Sequence, residues 1–296
     1  MSGADLLQYL VSGITVGSVY ALVALGFNMI YNATGIINFA QGEFVMLGGM
    51  TMVSLMGALK LPMWISFPLS IACATAVGAL LERGAIHPLK NAPPITIIIV
   101  TIGASILIRG VAILIWGEDA HRLPGLTGDR PIKILGASIL PQSFWVIGIG
   151  VLLMGALHLF YRRTTFGKAM LACSADPEAA MLVGINPRRM VFWSFVISSA
   201  LGAIAGIIIT PLIFTHYNIG VMIGLKGFCA AVLGGLGSFL GAIVGGLTLG
   251  VIEKLAVGLA PMGYSGYENA IAFIALLIIL FLRPSGLLGR GGIEKA

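Results

Sequence analysis

An all-α, polytopic membrane protein is the fold class this sequence predicts, on three observations. The chain is 58% hydrophobic and only 9% charged, whereas soluble domains carry roughly 25% charged residues. Its mean hydropathy is +1.03, more apolar sequence than a soluble core absorbs. The apolar runs are continuous and do not alternate, which is the pattern of spanning helices and not of barrel strands.

The runs divide into about eight segments, at about 6–31, 42–59, 62–81, 95–116, 143–160, 188–213, 226–257 and 268–283. The first has no basic residues ahead of its apolar run and is too long for a removable signal peptide, so it is expected to be a span. Before the second lies a polar, helix-interrupting stretch, Asn38-Phe39-Ala40-Gln41-Gly42-Glu43. Arg109 falls inside the fourth and is expected to pair with protein or to snorkel. All of this reads as one transmembrane domain over residues 1–296.

A polar loop at about 161–189 separates the fifth and sixth segments and contains a helix cassette. Asp176 reads as N-cap and Pro177 as the first helical position. About two turns follow through Glu178, Ala179, Ala180, Met181 and Leu182, and Gly184 is the stop. Asn186-Pro187 repeats the cap-and-proline signal and opens the next helix.

Lysine and arginine set the orientation. Arg162, Arg163, Lys168, Arg188 and Arg189 in the cassette loop, Arg83 and Lys90 after the third segment, and Arg283, Arg290 and Lys295 in the tail are expected in the cytoplasm. The loop at 117–142 balances Arg122, Arg130 and Lys133 against Glu118, Asp119 and Asp129 and is expected outside. Cassette and tail share a side only if the seventh segment does not cross normally. Its Gly234-Gly235-Leu236-Gly237 run supplies the break, because glycine costs about 1 kcal/mol against alanine in a helix and opens left-handed backbone. A half-helix at about 226–234 and a returning helix are expected, and broken helices at membrane depth line cavities or are buried in protein. Gly237, Gly241 and Gly245 also form a small-residue packing face. Leu47-Gly48-Gly49 and Leu233-Gly234-Gly235 hint at two related halves.

Glu43 and Lys226 border the interrupted stretches. A charge at membrane depth costs at least roughly 2.5 kcal/mol, so it faces protein or water. The expected pathway residues are therefore Asn38, Gln41, Glu43, Lys226, Gly234, Gly235 and Gly237, while interfacial anchoring is the plain alternative for Glu43 and Lys226. Glu253-Lys254 reads as a helix-end pair at the outer surface. Cys73, Cys173 and Cys229 read as small apolar side chains, and neither they nor the four histidines show metal-ligand spacing. No cofactor is expected, and the modest basic surplus is a property of loops and does not point to nucleic acid.

Four stretches together resemble the shorter, LivH-type permease of branched-chain amino acid ABC importers. They are Asn38 to Glu43; Ala230-Ala231-Val232-Leu233-Gly234-Gly235-Leu236-Gly237-Ser238; the Glu178-Ala179-Ala180 to Gly184-Ile185 cassette; and the tail Arg283-Pro284-Ser285-Gly286-Leu287-Leu288-Gly289. The likeness runs in order along essentially the whole chain. The general importer consensus continues with Ile-x-Leu-Pro, which Ser194 to Ile197 do not supply. The resemblance implies an inner-membrane permease that forms half of a pore with a second permease subunit. It also implies two cytoplasmic ATPases docked on the coupling helices, a periplasmic solute-binding protein, and surrounding lipid. The chain lacks a phosphate-binding GxxxxGK[ST] loop, since Phe166-Gly167-Lys168-Ala169 has neither the earlier glycine nor the hydroxyl. ATP hydrolysis is thus expected on a partner, with the cassette as the lever. Urea, short amides or aromatic acids are alternative solutes. A stand-alone secondary transporter or channel is the alternative class. A membrane enzyme finds no nucleophile-base pair.

Overall fold

A computed structural model describes residues 3–89, 92–259, 268–283 and 285–289. Among them, six helices are long and apolar enough to cross a membrane. In chain order the helices are α1 (Gly3–Thr34), α2 (Gln41–Gly57), α3 (Met63–Leu81), α4 (Pro94–Trp116), α5 (Pro141–Arg163), α6 (Thr165–Ala175), α7 (Pro177–Leu182), α8 (Pro187–Ile209), α9 (Ile219–Gly234), α10 (Phe239–Leu259) and α11 (Glu268–Leu282). The count of about eight segments therefore does not carry over directly. α2 has 17 residues, α9 has 16 and α11 has 15, each shorter than a typical span of about 20. Lys90, Pro284, Arg290 and Lys295 lie outside the described residues.

The helices have two shared ends. Thr34, Glu82, His87, Pro94 and Arg188 line one cleft, so α1 and α3 finish where α4 and α8 begin. Met56, Met63, Leu123 and Ile208 line another at the opposite end. Cassette and tail both sit at the first end, which also carries Arg83, Arg162, Arg163, Lys168, Arg188, Arg189 and Arg283. α1 is the axis, buried almost without gap from Gly17 to Ile30, as expected of a helix apolar on every side. α10 runs antiparallel to it, and the backbones touch where Gly13 and Gly17 meet Gly246 and Gly250. α4 and α5 are peripheral, with most of their surfaces uncovered by this chain.

The all-helical expectation misses one small element. Within 117–140, β1 (Ile132–Ile134) pairs antiparallel with β2 (Ala137–Ile139), Ile132 opposite Ile139. Leu135 at φ 50° and Gly136 at φ 87° form the connecting turn, and two left-handed central residues are what a tight hairpin requires.

Both interruptions exist, but their bounds differ from the sequence reading. α2 starts at Gln41, level with the middle of α8, because Ser198 Oγ donates to Gln41 Oε1 at 2.7 Å. α9 starts at Ile219, seven residues before the expected half-helix (226 − 219). Lys226 suggested a helix end, yet it is interior because a buried carboxylate neutralises it. α9 then stops at Gly234, and α10 leads back from the basic end. The Leu-Gly-Gly triplets are not equivalent: Gly48 and Gly49 lie inside α2, against Ala203 and Thr210 of the α8 side, whereas Gly234 ends α9.

Candidate functional site

The two short helices α2 and α9 begin beside each other in the interior and run to opposite ends. Their first turns approach so closely that a Cβ on Gly224 would stand 2.9 Å from Gly42 Cα, and one on Gly42 would overlap the Gly220 carbonyl. Only glycine permits this contact. It brings the positive ends of two helix dipoles together within the apolar slab.

α4 closes the third side. Thr101, Ser105 and Arg109 recur every four residues, so they share a face. Thr101 Oγ1 accepts the Phe39 N–H at 3.2 Å. Ser105 Oγ donates to Glu43 Oε1 at 2.7 Å. Arg109 Nε lies 3.2 Å from the same oxygen, and its Nη1 donates to Asn218 Oδ1 at 3.2 Å. Glu43 is 1% exposed, and its Oε2 has no hydrogen-bond partner. Glu43, Ser105 and Arg109 border a cavity of roughly 140 Å³ walled by Phe27, Phe39, Ile102, Val221, Leu225 and Phe228. Phe228 contacts Phe27 and Phe39, both at a centroid distance of 5.8 Å. Arg109 therefore pairs with protein. Sequence reasoning missed Thr101, Ser105 and Asn218, although the four-residue polar spacing in an otherwise apolar helix was a usable signal for the first two.

The other expected pathway residues separate from this cavity. Gln41 Nε2 donates to the Ser198 carbonyl at 3.1 Å, which holds α2 on α8. Asn38 Oδ1 accepts the Ala40 N–H at 3.1 Å, and its Nδ2 is unpartnered. Lys226 Nζ lies 3.0 Å from Glu253 Oε2, and Tyr20 Oη donates to the same carboxylate at 3.2 Å. Glu253 is 0% exposed, so the outer-surface reading of Glu253-Lys254 is corrected: the carboxylate points inward because α9 delivers a lysine to it.

Gly234, Gly235 and Gly237 form the break at the basic end. Gly235 and Gly237 have φ of 106° and 81°, backbone that other residues avoid. Asn28 Nδ2 donates to the Ser238 carbonyl at 2.9 Å, and its Oδ1 accepts the Gly237 N–H at 3.2 Å. Asn32 Nδ2 donates to the Gly237 carbonyl at 3.0 Å. The tail then straps the end of α9, with the Leu287 and Leu288 N–H groups donating to the Leu233 and Gly234 carbonyls at 2.8 and 2.9 Å.

The cassette is two helices. Thr164 caps α6 by accepting the Gly167 N–H at 2.9 Å, and Phe166 stands edge-on to Trp193 of α8. Asp176 Oδ1 caps α7 by accepting from the Glu178 and Ala179 N–H groups at 2.9 and 3.0 Å. Gly184 at φ 83° closes it. Ala180 is buried, while Met181, Leu182 and Val183 are 55%, 90% and 75% exposed. Asn186 caps α8. Cys173, in α6, is buried, and desolvation raises its thiol pKa.

Residues 9–282 match the family described as branched-chain amino acid transport system / permease component. The chain belongs to that family. It is 36% identical to the high-affinity branched-chain amino acid transport system permease protein LivH of Salmonella typhimurium, over 98% of this chain and 97% of the relative. It is equally 36% identical, with the same coverage, to BraD of Pseudomonas aeruginosa. A probable LivH of Methanocaldococcus jannaschii is 27% identical over 90% of this chain and 88% of its own. Among solved structures, PsaBC from Streptococcus pneumoniae, in complex with Fab, aligns with a TM-score of 0.53 at 16% identity, over 95% of this chain and 92% of that one. That likeness speaks to the fold alone.

Proposed function

We propose that this chain is the transmembrane permease subunit of an ATP-driven importer of branched-chain amino acids in the bacterial inner membrane. It contributes half of the pathway, and a second homologous permease completes it. Two cytoplasmic ATPases drive it, and a periplasmic binding protein supplies the solute. The observation that carries this reading is the whole-length likeness to permeases named for branched-chain amino acids.

The geometry supports it in two places. α7 exposes Met181, Leu182 and Val183 at the basic end, the end that positive charge assigns to the cytoplasm. A capped helix with an uncovered apolar tip suits insertion into a groove on a soluble partner. Asp176, Pro177, Glu178 and Ala179 fix its start, Ala180 packs inward, and Gly184 ends it. At mid-depth the Glu43 cavity opens beside the uncovered side of α4, towards the place a second permease would occupy. Among the expected pathway residues we assign Glu43 to the path, with Asn38, Gln41, Lys226, Gly234, Gly235 and Gly237 holding the helices around it.

The test is reconstitution with the second permease, the ATPases and the binding protein from the same genome. ATP-dependent leucine accumulation in proteoliposomes is expected, and it should vanish when either permease is omitted. Leucine uptake by this chain alone, driven by an ion gradient without ATP, would refute the assignment.

A further inference from the structure

Glu43 and Arg109 form a pair that leaves both members incompletely satisfied. Two contacts converge on Glu43 Oε1, from Ser105 and Arg109. Oε2 takes none, although it is buried and faces the first turn of α9, where a Cβ on Gly220 would lie 2.9 Å from it. Among the described residues Arg109 donates one hydrogen bond, from Nη1 to Asn218, out of five guanidinium N–H donors. Its Nε stands at ion-pair distance from Oε1 without a hydrogen bond, and its side chain keeps 28% of its surface open. The cavity beside them measures roughly 140 Å³. Its walls are mainly aromatic and aliphatic.

An α-amino acid crossing this depth must shed water from an ammonium and a carboxylate at once. A free carboxylate oxygen accepts from the ammonium. The guanidinium, backed by two helix dipoles directed at the same point, receives the carboxylate. We infer that the Glu43–Arg109 pair opens to exchange partners with the two ends of a zwitterionic solute, Glu43 taking the α-ammonium and Arg109 the α-carboxylate. The branched side chain then lies on Phe27, Phe39 and Phe228. Net charge is unchanged throughout, so the exchange avoids the cost of a lone charge in the slab. The pair closes again behind the solute. Competition from the closed pair keeps affinity low, as a path that must release its cargo requires. An uncharged amide would gain nothing from the exchange. This inference rests on the amino acid importer reading above.

The neutral double variant Glu43→Gln/Arg109→Gln separates this role from a merely structural ion pair. Removing one member of a buried pair strands the other charge, but removing both is often neutral. A structural pair therefore predicts damaged single variants and a recovered double. Partner exchange predicts that the double, although it assembles into the complex, imports leucine at least about tenfold more slowly, the scale of one lost charge-assisted hydrogen bond. Recovery of the double variant to wild-type uptake overturns the inference and leaves the importer reading standing. A wild-type complex that carries no amino acid overturns both.

If the double variant does not assemble, protection decides. Ile102→Cys is alkylated in the assembled complex, in a background with Cys73, Cys173 and Cys229 replaced by alanine. Leucine at tens of millimolar should slow the reaction at least roughly threefold by mass action. Isopentylamine and isocaproate, each lacking one charged end, should slow it less. Equal protection by all three, or none by leucine, overturns the inference.

Discussion

Replacing Lys226 by methionine isolates the energetics of the second buried charge cluster. The substitution keeps an unbranched side chain one heavy atom shorter and removes its charge. Glu253, at 0% exposure, then retains the Tyr20 hydroxyl at 3.2 Å and Lys254 at 3.9 Å but loses its ion partner at 3.0 Å. Stranding one member of a buried pair costs about 3–5 kcal/mol, and the remaining contacts place the loss near 3 kcal/mol. At about 2–4 °C per kcal/mol for a chain of this order of size, the thermal midpoint should fall by about 6–12 °C. Adding Glu253→Gln should restore most of it, because the amide still accepts from Tyr20. Detergent-solubilised protein fused to a fluorescent reporter, heated and passed over a sizing column, measures both. Losses in the double variant equal to the sum of the singles would show no coupling and refute the reasoning.

Other outcomes follow from the same geometry. Glu178→Arg combined with Gly184→Val should place an arginine on the first turn of α7 and strain its left-handed stop. Leucine-stimulated ATPase activity in the assembled complex should then fall while membrane insertion stays normal; unchanged stimulation would sink the coupling role of α7. In a variant lacking the native cysteines, Ser174→Cys and Ser285→Cys should both label only from the cytoplasmic face, and periplasmic labelling of position 285 would reject the shared-end topology. In the native chain, the raised thiol pKa of Cys173 lowers its thiolate fraction, so its maleimide reaction at neutral pH should be slower than that of a cysteine introduced at the exposed Ser285. Asn28→Ala removes two hydrogen bonds to the break and should cost about 2 kcal/mol; a midpoint shift below about 2 °C would show that the tail and Asn32 suffice.

The parts legible in sequence were those written in local chemistry. Composition gives the class. The α7 boundaries follow from Asp176, Pro177 and Gly184, because capping involves residues within one turn. The break between α9 and α10 follows from adjacent glycines. What escaped depended on distant segments. Lys226 looked like a helix terminus because its counter-ion lies on another helix. Glu253 looked superficial beside Lys254 for the same reason. The start of α9 was missed because nothing around Asn218 announces that its side chain meets Arg109 from α4. The charge of Glu43 beside an interrupted helix pointed to a path, but the cavity itself needed three helices placed against one another, and its α4 wall was signalled only by the Thr101, Ser105 and Arg109 spacing.

The strap formed by Leu287 and Leu288 has a consequence for biogenesis. The carbonyls of Leu233 and Gly234 are made some fifty residues before the N–H groups that donate to them (287 − 233). During synthesis the end of α9 therefore waits, held by Asn28 and Asn32, until Leu287 and Leu288 leave the ribosome. Completion of this end reports that the chain has been translated past Leu288. A message truncated after α11 would yield a protein that has inserted every described helix and still lacks its final clasp. Quality-control proteases that sample exposed backbone would find that gap at Leu233 and Gly234.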